Sequence, residues 1–252
     1  MTQYTFGQDA INALNASDDN ASAKNEFAKL PIGKARKVKV IDPNAIASVF
    51  TYSIYKVVNT FIAKNPSKKS KNGYPIADYT PFDKAWKYHK DLSQDFSDAH
   101  GQEAGKYRTK ARSAIGFYDL TEGKLIIVDL TKAQAQAVTD AIAEYEDELA
   151  DLAFTLKKSG DPKQPTSTAV SLTPIINRKK GLTDEESKNF DNAPEEFDFS
   201  LFDGIYFEMD EDAQVQALKQ AGFDVTLIGY DANAGGSPAQ DDDATGEDSL
   251  PF

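Results

Sequence analysis

Apolar and polar positions alternate along ARKVKVID. Val38 and Val40 fall on one side and Lys37 and Lys39 on the other, which predicts a half-buried strand entered through a Pro and a Gly. SVFTYSIYKVVNTFIA is a longer run of β-branched and aromatic residues, and the KNPSKKSKNGYP that follows it has the Pro, Ser, Asn and Gly of a loop. TPFDKAWKYHKDL predicts a short helix: Thr80 can cap it, Pro81 suits its first position, and Phe82, Trp86 and His89 share a face. YRTKARSAIGFYDL and GKLIIVDL read as a hairpin around the turn TEG. In LTKAQAQAVTDAIAEYEDELADL, Thr131 and Gln134 have capping-box spacing, while Val138, Ile142, Tyr145, Leu149 and Leu152 recur at helical intervals, so this helix packs on the sheet. LAFTLKK and STAVSLTPII supply two more strands around the loop SGDPKQPT.

Five main strands interrupted by one amphipathic helix predict a mainly β protein with appended helices. The expected architecture is an OB-fold, a five-stranded partly open barrel, with a long insertion and an acidic C-terminal extension. The expected organisation is a polar N-terminal arm over 1–23, a core over 24–180 with a basic, aromatic insertion at about 64–106, an acidic ordered appendage over 181–231 and a disordered acidic tail over 232–252. The 252 residues are enough to bury a core without covalent staples.

Composition narrows the functional classes. The absence of cysteine excludes disulfides, Cys-type zinc sites, iron–sulfur clusters and thiol nucleophiles. MTQYTFGQDAINALNASDD has neither the basic nor the apolar region of a secretory signal, and no segment reaches the roughly 20 apolar residues of a membrane span, so a cytoplasmic protein with no membrane partner is expected. The net charge of −12 conceals a segregation. Residues 24–112 hold 18 Lys and Arg against 8 Asp and Glu, whereas residues 113–252 hold 10 against 29. Such asymmetry suggests a polyanion-binding body and an acidic counterpart in one chain.

The basic half is also aromatic: 13 of the 27 aromatic residues lie between Phe50 and Tyr118, among most of its cations. Arg108, Lys110 and Arg112, two apart on a strand, project from one face at intervals of roughly 7 Å, and Tyr118 continues that face. Cations neutralise phosphates and release counterions, while rings stack on bases with little regard for sequence. The candidate phosphate ligands are Lys37, Lys39, Lys56, Arg108, Lys110 and Arg112. Tyr52, Trp86, Tyr107 and Tyr118 are the candidate stacking residues, and Lys68, Lys69 and Lys71 a flexible clamp. The competing reading is structural: strand lysines guard an edge, and rings in a run such as FTYSIYKVV form core.

Enzyme motifs fail on inspection. GQEAGKY is one residue too short for a phosphate-binding loop and places Tyr107 where a hydroxyl should hold a metal. Asp241, Asp243, Thr245 and Gly246 have calcium-loop spacing, but Phe252 stands where a bidentate Glu is needed. His89 and His100, eleven apart, lack a metal-binding context. No cofactor, metal or catalysis is therefore expected, with a two-metal nuclease built from C-terminal carboxylates kept as a rival.

EFAKLPIGKARKVKV, SIYKVVNTF, PFDKAWKYHK, EAGKYRTKARSAIGFYDLTEGKLIIVDLTKAQAQAV and LTDEESKNFDNAPEEFDFSLFDG together resemble the single-stranded DNA-binding proteins of tailed bacteriophages. The resemblance implies an OB-fold, no catalysis, coating of single strands in replication, recombination and repair within the infected bacterial cell, and self-association along DNA. Relatives of the T-even type carry a cysteine-rich zinc site that this chain cannot form. The final DDDATGEDSLPF is similar to the acidic tip of bacterial single-strand-binding proteins, which recruits replication and repair enzymes. The likeness assigns partner binding to Asp241, Asp242, Asp243, Glu247, Asp248, Leu250, Pro251 and Phe252. The rival non-enzymatic reading is an acidic interaction protein or DNA mimic that occupies another protein's nucleic-acid groove.

Overall fold

The computed structural model describes residues 26–70, 73–161, 163 and 167–232. In chain order the described elements are β1 (Ala35–Lys39), β2 (Ile46–Ile54), β3 (Val58–Ala63), β4 (Lys68–Lys69), β5 (Pro75–Ala77), α1 (Pro81–Leu92) and α2 (Ala99–Tyr107). There follow β6 (Lys110–Asp119), β7 (Lys124–Thr131), α3 (Lys132–Glu144), β8 (Ala153–Ser159), β9 (Ala169–Ile175), α4 (Arg178–Gly181), α5 (Asp184–Asp191), β10 (Glu208–Met209) and α6 (Glu211–Gln220). They sort into two compact units, 26–50 with 111–207 and 51–110 with 208–232. Residues 51–110, which include the basic, aromatic stretch at about 64–106, fall together in the second unit. The acidic stretch expected as one appendage over 181–231 is divided at 207.

In the first unit the strand order is β7-β6-β1-β8-β9, antiparallel throughout. The sheet is open rather than a closed barrel: β9 is one end, and β6 is bordered by the start of β2 as well as by β1 and β7. Alternation places Val38, Ile115, Phe117, Val128, Leu130, Phe154, Leu156 and Leu172 on the inner face, where α3 covers them with Ala135, Val138 and Ile142. Each such side chain contributes about 1.5–3 kcal/mol on burial. The start of α3 is fixed by the expected capping box: Thr131 Oγ1 accepts from Gln134 N at 3.4 Å, and Gln134 Oε1 accepts from Thr131 N at 3.1 Å. The turn between β6 and β7 is tied by Asp119 Oδ1, which accepts from the backbone N–H groups of Thr121 and Glu122, and closed by Gly123 at φ 63°.

The second unit begins with a hairpin that the continuous apolar run concealed. β2 and β3 pair Tyr52 with Phe61 and Ile54 with Val58, and Lys56 at φ 61° makes the turn. β10 lies parallel to β3, so this sheet is mixed. β4 and β5 form a separate two-stranded ribbon. Tyr52, Phe61, Phe82, Tyr107, Val215, Leu218 and Phe223 pack with Tyr230 into a second core. Helix α1 starts as its sequence demands, with Thr80 as N-cap and Pro81 in the first turn. Helix α2 was not legible behind its glycines. Asp98 caps it by accepting from Gly101 N at 2.6 Å, and its other oxygen accepts from Gln94 N and Asp95 N; these backbone bonds hold its carboxyl well below the usual range.

Candidate nucleic-acid interface

The outer face of the first unit's sheet gathers four of the expected ligands. Because Ile115 and Phe117 point inward, Arg112, Ala114, Gly116 and Tyr118 point outward, opposite Thr131, Asp129, Ile127 and Leu125 of β7. Lys37 and Lys39 extend this face onto β1, with Lys39 beside Tyr118 in register. The shared face is the one that two-residue spacing requires. Its cations, however, are already engaged by later parts of the chain.

Lys37 Nζ donates to Glu186 Oε2 at 2.6 Å. Burial works against the Glu186 charge, but Lys37, the Thr183 N–H at 2.8 Å and the Thr121 hydroxyl at 3.2 Å hold its carboxyl below the ordinary range. Lys39 lies 4.2 Å from the centre of the Phe190 ring, and the Arg178 guanidinium lies 4.3 Å from the same centre. Burial and that neighbouring guanidinium lower the Lys39 ammonium. Arg112 grips Asp129 with two nitrogens, Nε reaching Oδ1 at 2.9 Å and Nη2 reaching Oδ2. Tyr206 donates to the same Oδ1 at 3.1 Å, and burial followed by the Asp129 charge pushes its phenol upward. Tyr118 is only 7% exposed, sealed among Leu120, Leu182 and Phe190, so the expected stacking platform is a core residue.

The cover continues over Gly116. A β-carbon there would meet Phe197 Cζ at 2.2 Å, so the ring lies where any other residue's side chain would begin. Phe197, Phe199 and Phe202 form a ring cluster with centroids 5.6–6.2 Å apart. Beside them is a cavity of about 430 Å³ whose lining includes Phe27, Ile127 and Leu201 together with Lys29, Arg36, Lys124, Glu26 and Glu122.

In the second unit, two more expected platforms are corrected to core. Tyr52 is 2% exposed and Tyr107 3%, the latter packed by Phe82, Phe223 and a nearly parallel His89 ring. The Tyr52 hydroxyl donates to Asp83 Oδ2 at 2.8 Å, and burial together with the Asp83 charge pushes its phenol upward. Asp83 also accepts from the Ser67 hydroxyl and, at 2.8 and 2.9 Å, from Lys69 Nζ. Lys69 is thus a buried ion-pair partner rather than part of a flexible clamp; burial lowers its ammonium despite the Asp83 bonds. Lys68 is exposed on β4 and pairs with Asp78 at 3.0 Å. Lys71 and the tail residues from Asp241 to Phe252 lie outside the described residues.

What the second unit exposes is a stack. Tyr74 is 39% exposed, its ring centre 5.8 Å from that of half-buried Trp86 and 4.9 Å from the Arg108 guanidinium. Thr109 Oγ1 donates to Gly73 O at 3.2 Å, tying the Tyr74 turn to the Arg108 segment. Exposed Lys110 donates to Ser53 Oγ at 3.0 Å, and Lys56 lies 5.3 Å from the ring of Tyr55, which is 82% exposed at the hairpin turn. Sequence reasoning missed both tyrosines. Tyr74 had a signal, a ring next to proline in a polar loop, whereas Tyr55 was hidden inside an apparently continuous strand.

Neither a protein-family model nor a curated protein matches the chain. Among the described residues, no three or more His, Cys, Asp and Glu side chains form a group that could hold a metal ion, and no helix is long and apolar enough to cross a membrane.

Proposed function

We propose that this chain is a sequence-tolerant single-stranded DNA-binding protein of the tailed-phage type, acting by binding rather than catalysis in the cytoplasm of an infected cell. The observation that carries this reading is the exposed Trp86–Tyr74–Arg108 stack, flanked in sequence by Lys110. A partly exposed ring can stack on a base of any identity, with about 1–3 kcal/mol per stacked base, and an adjacent guanidinium can neutralise the phosphate that follows.

The strand pairing of the first unit supports an OB-fold assignment. β1, β6, β7, β8 and β9 occur in that chain order, β1 pairs with β6 and β8, and α3 falls between the third and fourth strands. In that architecture the face of the second and third strands binds oligonucleotides, and here that face belongs to β6 and β7. The acidic residues 241–252 would serve to recruit replication and recombination proteins.

The test is titration of oligo-dT at several salt concentrations, with a labelled single strand incubated in parallel with and without magnesium or manganese. The reading expects affinity that falls with salt, a preference for single over double strands, and an intact oligonucleotide. Metal-dependent cleavage would favour the nuclease. The acidic-mimic reading draws on the ring-and-carboxylate surface around Phe199, and it expects no DNA affinity at any salt concentration.

A further inference from the structure

The segment that covers Gly116 has an unusual composition. Glu195–Phe207 contains five rings (Phe197, Phe199, Phe202, Tyr206 and Phe207), four carboxylates and no cation. Those are the chemical features of an unpaired strand: flat apolar groups interspersed with negative charge. It lies on the outer face of β6 and β7, which is where the functional reading places the oligonucleotide. Phe197 stands over Gly116, and Tyr206 bonds to Asp129 beside Arg112 while its ring lies 4.9 Å from Phe27.

We propose that Glu195–Phe207 is a resident surrogate for single-stranded DNA, and that a bound strand takes its place on β6 and β7. The inference rests on the single-strand-binding reading and adds an internal competitor to it.

The neighbouring cover is built differently. Helix α5 is locked by its own capping box, by the Lys37–Glu186 pair and by buried Phe190, with Leu182 buried just before it. It is part of the body. Glu195–Phe207 has one 3-10 turn, Phe199–Phe202, held by local bonds such as Leu201 N to Asp198 O at 3.2 Å. Phe197, Ile205 and Tyr206 are its buried anchors, whereas Phe199 and Phe207 are about half exposed at 49% and 54%, and Leu201 and Phe202 are half-buried. Gly204, at φ +68° with open space around it, supplies a position where the backbone can swing.

The cavity beside Leu201 gives the strand a place to enter. Its cations, Lys29, Arg36 and Lys124, border the β7 face at Ile127, and Arg36 is shared with Asp119 at 2.5 Å and Glu122 at 2.8 Å. A phosphate arriving here competes with Asp119 and Glu122 for Arg36, and with Glu122 for Lys124. The next base then competes with Leu201 and the phenylalanines for the same apolar strip.

The experiment is hydrogen–deuterium exchange on the full chain, free and saturated with oligo-dT. The expected result is at least tenfold faster exchange in 195–207 together with slower exchange in β6 and β7. A second measurement uses Phe199→Ala, whose ring is half exposed, with its fold checked by thermal melt; it should bind oligo-dT several-fold more tightly. Oligo-dT bound with exchange in 195–207 unchanged or slowed would overturn the surrogate and leave the function standing. Absence of oligo-dT binding by both proteins would overturn the function itself.

Discussion

Gly116 and Phe197 occupy one site between them: the ring of one lies 2.2 Å from where the other's β-carbon would be. Gly116→Ala should therefore push Phe197 out of place and destabilise the first unit by about 1–3 kcal/mol, the usual effect of overpacking. Phe197→Ala should cost about 3 kcal/mol through its cavity. The double variant should cost clearly less than the sum, because the alanine methyl enters space that the ring has vacated. Urea unfolding of the four proteins measures this coupling. Strict additivity would mean that the ring does not rest on Gly116.

The two lysines of β4 should behave oppositely. Lys69→Met strands Asp83, which is 1% exposed, and should cost about 3 kcal/mol or more. Lys68→Met breaks a pair whose partners are 73% and 65% exposed, so its effect should stay within about 0.5 kcal/mol. Thermal melts of both variants check the contrast, and equal effects would contradict the burial of Lys69.

Stability should depend on pH through the chain's two histidines, which meet Nδ1 to Nδ1 at 3.0 Å across α1 and α2. One ring must donate while the other accepts, so the pair does not tolerate two imidazolium ions. Burial, then the His100 charge, lowers His89, with Lys106 acting in the same direction and Glu103 opposing. A lowered histidine binds fewer protons folded than unfolded. Its stabilisation is therefore complete above the unfolded value of about 6.5 and is lost as pH falls below it. Urea midpoints from pH 8 to pH 5 should decline below about 6.5, and His100→Gln should flatten the decline.

For binding, Arg108→Ala and Tyr74→Ala should each weaken oligo-dT roughly 5–100-fold, by the loss of about 1–3 kcal/mol. Only Arg108→Ala should also reduce the slope of log affinity against log salt, by about 0.7. Tyr52→Phe removes one hydroxyl from the Asp83 network and should lower stability without changing the intrinsic affinity of folded protein. A binding assay at three salt concentrations separates these outcomes.

Local patterning anticipated most elements because their causes are local. Alternation placed Val38 and Val40 inside and Lys37 and Lys39 outside, and the Thr131–Gln134 spacing became a real capping box. Even the common face of Arg112 and Tyr118 followed from strand geometry. What alternation cannot reveal is what lies on a face. Glu186 and Phe190 meet Lys37 and Lys39 from about 150 residues away, and EEFDFSLF, expected within an acidic ordered appendage, gives no sign of which face it covers until its rings are seen against Gly116. Tyr52 and Tyr107 show a related limit: a ring among cations can serve either core or surface, and only the packing of Phe61, Phe82 and Phe223 decides.

The anchoring of β4 through Lys69 and Asp83 bears on kinetics. A ribbon already pinned to α1 has no ordering step to complete when a ligand arrives, so encounter at Tyr74 and Arg108 should proceed near the limit set by diffusion and long-range charge steering. Stopped-flow association would then slow steeply with added salt and show a first phase whose rate rises linearly with oligonucleotide concentration, followed by a concentration-independent phase as Glu195–Phe207 gives way on β6 and β7.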